Sequence, residues 1–167
     1  MAGTAHALMV LQARAAAADC LATYLHRCDV PGGTGAEQAA ELFTQDAVWE
    51  GIGPEYSTAF GRARGRAEIA ALLGRYLPPV EHFHRNVHLL GSGAMQVDLP
   101  EVRGRWTMQQ LSHQVDGTAQ LLCAGLEVDF EVTADQASTT ALIKHFRTRR
   151  QFAAELDAGM LHPWTRP

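Results

Sequence analysis

The chain has 167 residues, a hydrophobic fraction of 47%, a charged fraction of 19% and a formal net charge of -4. These values are typical of one globular domain with a substantial core, and we expect a single domain over residues 1–167 with a short C-terminal extension from about residue 151. The mild negative charge gives no basic surface for nucleic acid or membrane lipid, and no apolar run is long enough for a membrane span.

Helical patterns dominate the first half of the chain. Residues 5–27 are rich in Ala and Leu and contain no Gly or Pro, which predicts a long helix. The i, i+3, i+4, i+7 spacing of an inward-facing stripe is met by Leu21, Tyr24, Leu25 and Cys28. The remaining elements predicted in this half are a loop, a short helix, a short strand, a second loop and a third helix, at residues 31–35, 36–43, 47–50, 51–65 and 66–77.

Strand patterns dominate the second half. Turn residues separate apolar or alternating runs, which predict strands at residues 81–90, 94–99, 102–114, 119–132 and 139–149, followed by a short helix at 151–160. In the fourth of these strands, apolar residues alternate with acidic ones, which is the cleanest signal of a half-buried strand in the chain. Its apolar stripe is a candidate surface for a homodimer or homotrimer and consists of Leu126, Val128, Phe130 and Val132.

Helices followed by antiparallel strands predict an α+β fold. A strongly curved antiparallel sheet, packed on the long N-terminal helix and two shorter helices, would form a cone with an open mouth, which is a natural place for a ligand. We expect that ligand to be a small hydrophobic molecule. Tyr56 and Phe60, in the predicted loop, are candidate lid residues, and Trp49 lies on the short strand before them.

The strand at 81–90 carries an unusual number of proton-handling side chains. Because side chains alternate along a strand, one face should hold His82, His84, Asn86 and His88. Imidazole titrates near neutral pH, which suits it to general acid–base chemistry. Histidines on strands are also often only hydrogen-bonded or exposed, so this face has a catalytic meaning only if it looks into a cavity.

A metal site is the alternative interpretation of this strand. His82 and His84 have a spacing that some zinc and iron sites use, and a third ligand would come from His88, His113 or Glu50. Two histidines on a strand are a weak signal, and the three cysteines are odd in number and lack zinc-like spacing. We therefore expect no bound metal and no cofactor. Since no export signal is evident, we also expect a cytoplasmic protein with reduced thiols.

Four residues together supply the parts of an elimination catalyst. An Asp beside a His fixes the imidazole tautomer and raises its basicity, a role for Asp29 with His82. Tyr24 could polarise a carbonyl group, and His113 could protonate a leaving hydroxyl. Such a set can remove a proton next to a carbonyl and expel the β group without a metal. The alternatives are that Tyr24 is a core residue, Asp29 a turn residue and His113 an exposed one.

Four local motifs, spread over about residues 8–152, resemble those of a known family. They are Tyr24-Leu25-His26-Arg27-Cys28-Asp29 at the end of the first helix, Leu42-Phe43-Thr44-Gln45-Asp46-Ala47, Gly65-Arg66-Ala67-Glu68-Ile69, and His82-Phe83-His84-Arg85-Asn86. In order and spacing they resemble the SnoaL-like branch of the nuclear-transport-factor-2-like superfamily. That resemblance implies a cystatin-like α+β cone.

The resemblance also implies an activity. By position the chain is similar to scytalone dehydratase, bile-acid 7α-dehydratase and hexachlorocyclohexane dehydrochlorinase, which implies a cofactor-free lyase acting on a hydrophobic, cyclic carbonyl compound. His82 would be the base and Asp29 its orienting residue, with Tyr24 and His113 on the carbonyl, water or leaving group. The candidate substrate-binding residues are Trp49, His84, Tyr56 and Phe60. The alternatives are an isomerase of the same fold and a non-catalytic cone, such as a ligand-binding protein or a dioxygenase small subunit.

Overall fold

The structure, a computed structural model, describes residues 2–135 and 138–157. The helices are α1 (Ala2–Arg27), α2 (Ala36–Ala40), α3 (Pro54–Ala59) and α4 (Gly65–Leu73). The strands are β1 (Phe43–Gly51), β2 (Arg62–Arg64), β3 (Phe83–Asp98), β4 (Glu101–Gln114), β5 (Ala119–Ala134) and β6 (Thr139–Leu156). None of the described helices is long and apolar enough to cross a membrane.

One six-stranded sheet organises the chain, in the order β2-β1-β6-β5-β4-β3. The predicted α+β class, with helices packed on a curved sheet, is confirmed. The sheet is mixed rather than wholly antiparallel, because β1 pairs in parallel with β6. A parallel pair needs a long connection between its strands, and here α3, β2, α4 and the three strands β3 to β5 lie between β1 and β6.

The sheet owes its curvature to irregularities in its long strands. The pairing register shifts at two points in β3, between Phe83 and Arg85 and between Leu90 and Gly93. It shifts twice more where β5 pairs with β6. Each extra residue bends its strand and increases the local twist. The four long strands therefore curl around α1, which contacts β3, β4, β5 and β6.

The core lies between α1 and the inner face of the sheet. The apolar stripe of β5 supplies its centre: Leu126 is 1% exposed, and Val128 and Phe130 are fully buried. This stripe was predicted as a surface for a homodimer or homotrimer, and that placement is wrong because the stripe faces α1. Acidic side chains such as Glu131 occupy the outward face instead. Truncation of a buried aromatic such as Phe130 to Ala typically costs about 3–5 kcal/mol.

Glycines that looked like a turn lie within a continuous strand. β3 runs through Gly91, Ser92 and Gly93 as one strand, with a shift of its pairing register to β4 between Leu90 and Gly93. Trp106 requires glycine at this point, since a Cβ at Gly93 would come within 2.0 Å of its indole, and one at Gly104 within 2.1 Å. Two glycines therefore provide the space in which the Trp106 ring packs, 7% exposed.

Three further segments differ from the sequence-based expectation. The predicted loop at 51–65 contains α3 and β2, and α3 begins with Pro54 at a first-turn position that its fixed φ favours. The predicted third helix at 66–77 is shorter, since α4 ends at Leu73. β6 continues as a strand to Leu156, where a helix at 151–160 was expected. The last part of that expected helix, 158–160, lies outside the described residues.

Candidate functional site

A cavity of about 330 Å³ opens between the end of α1, α3, α4 and the inner face of the sheet. Its walls are mainly aromatic and aliphatic, which suits an apolar ligand. The polar residues that line it lie on or directly beside α1, β3, β4, β5 and β6. They include Tyr24, Cys28, His82, Asn86, His88, Gln110, Gln120, Thr148 and Arg150.

Aromatic rings cover one wall of the cavity. Phe60, just after α3, packs edge-on against Trp49, Tyr56 and Tyr76, at ring-centroid distances of 5.4, 4.8 and 5.6 Å. Phe146 from β6 stacks on Trp49 at 5.4 Å. Three of the four predicted substrate-binding residues, Trp49, Tyr56 and Phe60, therefore line the cavity. Such a wall is shaped for a flat, cyclic molecule, since offset and edge-on contacts between rings add to the burial of their surface.

A short backbone bridge brings the end of α1 to β3. Asn86 and Val30 exchange both backbone hydrogen bonds, at 2.7 and 2.8 Å, as an isolated antiparallel pair. Asp29 lies immediately before this bridge and two residues after the end of α1. The bridge therefore fixes the Asp29 carboxylate against the part of β3 that follows Asn86.

The carboxylate of Asp29 is bound to His88. Its Oδ1 accepts hydrogen bonds from His88 Nδ1 at 2.9 Å and from the His88 backbone N–H at 3.0 Å. Its Oδ2 lies 3.3 Å from Nδ1 of the exposed His26. With Nδ1 donating to Asp29, the other ring nitrogen of His88, Nε2, holds the free lone pair. Only 10% of the His88 side chain is exposed, and it lines the cavity.

Two opposing effects set the acidity of Asp29. Burial raises the pKa of its carboxyl group, but the hydrogen bonds from the His88 side chain and backbone, the charge of His88 and the bond from His26 together outweigh it. The net pKa of Asp29 is lowered. At neutral pH the carboxylate is therefore ionised and holds the His88 ring in one orientation, an arrangement called here the Asp29–His88 dyad.

The sequence paired Asp29 with His82, and the geometry pairs it with His88 instead. His82 precedes β3, and its ring packs edge-on against Tyr76 at 5.2 Å and Phe83 at 4.4 Å. Among the described residues, the hydrogen bonds of the Asp29 side chain go to His88 and His26. His82 does line the cavity, so it remains within the site although it is not the dyad partner.

His84 and His113 lie together outside the cavity. The extra residue between Phe83 and Arg85 breaks the alternation along β3, so His84 does not share a face with His82. His84 is exposed, and its ring lies 5.3 Å from that of His113 on β4. Neither ring lines the cavity. His84 was predicted to bind the substrate and His113 to protonate a leaving group, and the structure places both rings outside this cavity.

The placement of the same histidines does not support the alternative of a metal site. His82 and His84, the two proposed ligands, are separated by the bulge and face different surroundings. Within residues 2–135 and 138–157, no group of three or more His, Cys, Asp or Glu side chains is arranged to hold a metal ion.

Tyr24 is a neutral phenol in the cavity wall. Its hydroxyl accepts a hydrogen bond from Trp49 Nε1 at 2.9 Å, and the residue is 3% exposed. Burial raises the pKa of Tyr24 well above its usual range, and the neighbouring Cys28 thiol adds to the effect. Burial likewise raises the pKa of Cys28 to about 12. Tyr24 can therefore offer its O–H proton to a ligand, whereas the Cys28 thiol is poorly suited to act as a nucleophile.

Comparison with known proteins identifies the family. A model of the SnoaL-like domain matches residues 9–138, which is more than half of the chain. The chain belongs to the SnoaL-like family. No sequence among the curated proteins matches it significantly.

Solved structures share the fold of this SnoaL-like chain. A hexachlorocyclohexane dehydrochlorinase, LinA type 2, is 19% identical with a TM-score of 0.69, covering 87% of this chain and 90% of that one. An NTF2-like protein with a cystatin-like fold from Novosphingobium aromaticivorans is 23% identical, with a TM-score of 0.66 and 90% of each chain covered. A candidate scytalone dehydratase from the same species is 16% identical, with a TM-score of 0.64 and coverage of 93% and 92%. At these identities, the likeness establishes the common fold.

Sequence reasoning missed several cavity residues of this SnoaL-like chain. His88 was noted on the strand but not as the partner of Asp29, although its position two residues beyond Asn86 was the available signal. Gln110 on β4 gave no signal, because its neighbours do not mark it as inward-facing. Arg150 was placed beyond the last predicted strand, yet it lines the cavity and lies 3.3 Å from Glu55 of α3.

Proposed function

We propose that the protein is a cofactor-independent lyase that acts on a hydrophobic, cyclic carbonyl compound. The observation that carries this proposal is the Asp29–His88 dyad, with its 2.9 Å hydrogen bond, in the wall of a largely apolar cavity. A histidine with one nitrogen held by a carboxylate and the other free can act as a general base. The removal of water around it strengthens each electrostatic interaction in the site.

In this proposal Nε2 of His88 removes a proton from the carbon next to the carbonyl group. The electron pair of that C–H bond forms a carbon–carbon double bond, and the carbonyl π electrons move onto the oxygen, giving an enolate. When the enolate collapses, its electrons expel the group on the β carbon. The proton held by His88, or one from His82 or Tyr24 in the same cavity, accompanies the departing group.

The relatives add support of a limited kind. One structural neighbour is named a hexachlorocyclohexane dehydrochlorinase and another a candidate scytalone dehydratase, and both names describe eliminations. Membership of the SnoaL-like family is compatible with other chemistry, because one fold hosts many functions. The dyad and the cavity around it are therefore the stronger support.

The proposal is tested by following proton removal and elimination separately. A panel of cyclic ketones with a β-hydroxyl or β-halide group would be incubated with the protein in D₂O. NMR would record deuterium entering the α position, and a second assay would record the unsaturated ketone formed by loss of water or the halide released. We expect exchange and elimination with the wild-type protein, and loss of both in His88→Ala.

His84→Ala is the matched control, because it removes an exposed imidazole from the same strand and outside the cavity. It should retain the wild-type rates. Deuterium exchange without release of the β group would favour an isomerase instead. Binding without exchange would leave a ligand-binding cone as the better account, and either result would overturn the lyase proposal.

A further inference from the structure

We infer that Asn86 is a second catalytic residue, which donates a hydrogen bond from Nδ2 to the carbonyl oxygen of the substrate. This inference deepens the proposed lyase function and rests on it for the identity of the reaction. It concerns the group that would carry negative charge after His88 has taken the α-proton. A fixed hydrogen-bond donor at that oxygen contributes strongly to the rate of reactions that pass through an oxyanion.

Four polar side chains form a compact block on β3 and β4. Asn86 is directly opposite Ser112, and His88 is directly opposite Gln110. Residues two apart on a strand point to the same face, about 6.6 Å apart. Asn86 and the base His88 therefore stand side by side, and both line the cavity.

The amide of Asn86 is held by its oxygen. Oδ1 accepts hydrogen bonds from Gln110 Nε2 and from Ser112 Oγ, each at 2.8 Å. Gln110 Nε2 also donates to Ser112 Oγ at 3.0 Å. With both donors on Oδ1, the NH₂ group of Asn86 is the part of the amide that points away from this network.

Nδ2 of Asn86 has no partner among the described residues, although the residue is only 2% exposed. Buried polar groups are normally paired, and an unpaired one needs an explanation. Nδ2 is not fully enclosed by protein either. In the described part of the chain, the side-chain atom that is both fully enclosed and unpartnered is Arg147 Nε. Nδ2 is therefore open to the cavity, and a ligand atom can satisfy it.

The backbone makes this donor rigid. Asn86 is bonded to Val30 through both its N–H and its C=O, so neither its main chain nor its Oδ1 is free to move. A structural amide would need only the contacts on Oδ1. The preorganised NH₂ group next to the base instead suits an acceptor that appears with the substrate, such as a carbonyl oxygen that becomes an enolate oxygen.

The experiment uses 4-nitrophenol as a probe, since its ionised form places a negative oxygen on a ring and absorbs at a different wavelength from its neutral form. Absorbance titrations would give the dissociation constants of both forms for wild type, Asn86→Leu, Asn86→Asp and the control His84→Ala. Wild type and the control should bind the ionised form more tightly than the neutral form. Loss of one hydrogen bond to a charged group should weaken binding of the ionised form about 10- to 100-fold in Asn86→Leu.

Asn86→Asp makes the test independent of simple misfolding. Its carboxylate can still accept from Gln110 and Ser112, but it offers an oxygen in place of NH₂. We expect this variant to keep the wild-type melting temperature within a few degrees and to prefer the neutral probe. The inference is overturned if wild type does not prefer the ionised probe, or if both variants retain that preference.

Turnover distinguishes this inference from the proposed function. If no elimination is found but the Asn86 variants lose the preference for the ionised probe, the role of Asn86 as a donor is supported and the lyase proposal is wrong. If elimination is found and is lost in His88→Ala, but Asn86→Leu keeps the full kcat, the lyase proposal is supported and the role of Asn86 as a donor is wrong. Where both hold, kcat in Asn86→Leu should drop about 10²- to 10³-fold.

Discussion

Two pairs of a carboxylate and an imidazole lie on opposite faces of the sheet. The Asp29–His88 dyad has a 2.9 Å bond and its imidazole lines the cavity, whereas Glu50 and His145 form a 2.8 Å bond on the outer face. The side chains of Glu50 and His145 are 21% and 26% exposed, and Arg62 lies 3.7 Å from the same carboxylate. The bond lengths alone do not separate the two pairs.

The surroundings do separate them. His88 lines the largely apolar cavity and its Nε2 makes no hydrogen bond to a described residue, and Asp29 is fixed by a backbone N–H as well as by the ring. Neither Glu50 nor His145 lines the cavity. A dyad becomes a candidate catalyst through a bounded space beside its free nitrogen, in which a substrate can be held and water excluded.

The largest expected effect is the loss of the inner imidazole. His88→Gln should lower kcat/KM for the substrate of the elimination about 10²- to 10⁴-fold, the range supplied by a positioned general base. His145→Gln should leave it within about twofold, because that ring has no access to the cavity. Steady-state kinetics on both variants make the measurement. Equal losses would show that the comparison between the two pairs is wrong.

Removing the inner carboxylate should have the next largest effect. In Asp29→Asn the amide can no longer hold the Nδ1–H tautomer as a charged acceptor, so we expect kcat to fall about 10²-fold or more while KM changes little. Glu50→Gln is the matched control on the outer face and should keep the wild-type kcat. A change confined to KM in Asp29→Asn would indicate a role in binding rather than in orienting His88.

The sequence was sufficient for the fold and for one half of the dyad. The motifs around Asp29 and the alternation in β5 predicted the α+β cone, which the structure confirms. The partner of Asp29 differs from the predicted His82, because the Val30–Asn86 bridge places the carboxylate beside the part of β3 that follows Asn86, where His88 lies. The irregularity between Phe83 and Arg85 also breaks the predicted alternation along β3. One extra residue reverses the facing of all side chains on one side of it, which separates His84 from Asn86 and His88.

Long-range contacts account for the other differences. Gly91-Ser92-Gly93 looks like a turn locally, and the close packing of Trp106 on Gly93 explains why a glycine lies within the strand. The network of Asn86, Gln110 and Ser112 depends on the β3–β4 register, which a single sequence does not specify. Local pattern therefore predicts elements, whereas the site depends on register and on the Val30–Asn86 bridge.

A smaller effect is expected in the pH dependence of stability. The pKa of Asp29 is lowered on folding, so its contribution is present above the unfolded pKa of about 3.9 and is lost as the pH falls through the lower, folded value. Thermal melts of wild type and Asp29→Asn between pH 2 and 7 would make the measurement. The two melting temperatures should differ most at neutral pH and converge in acid. A difference that grows in acid would contradict the lowered pKa.

The smallest expected effect concerns the outer pair of Glu50 and His145. A double-mutant cycle with Glu50→Gln and His145→Gln should give a coupling of about 0–1 kcal/mol, since partly exposed ion pairs are weak and screened by salt. The corresponding cycle with Asp29→Asn and His88→Gln should give a larger coupling, because both side chains are less exposed than those of the outer pair and solvent screens their interaction less. Urea denaturation at pH 7 provides the four free energies of unfolding for each cycle. Equal couplings would mean that the cavity changes the chemistry of the inner dyad without strengthening it, and catalysis would then depend on enclosure rather than on a firmer hold on the imidazole.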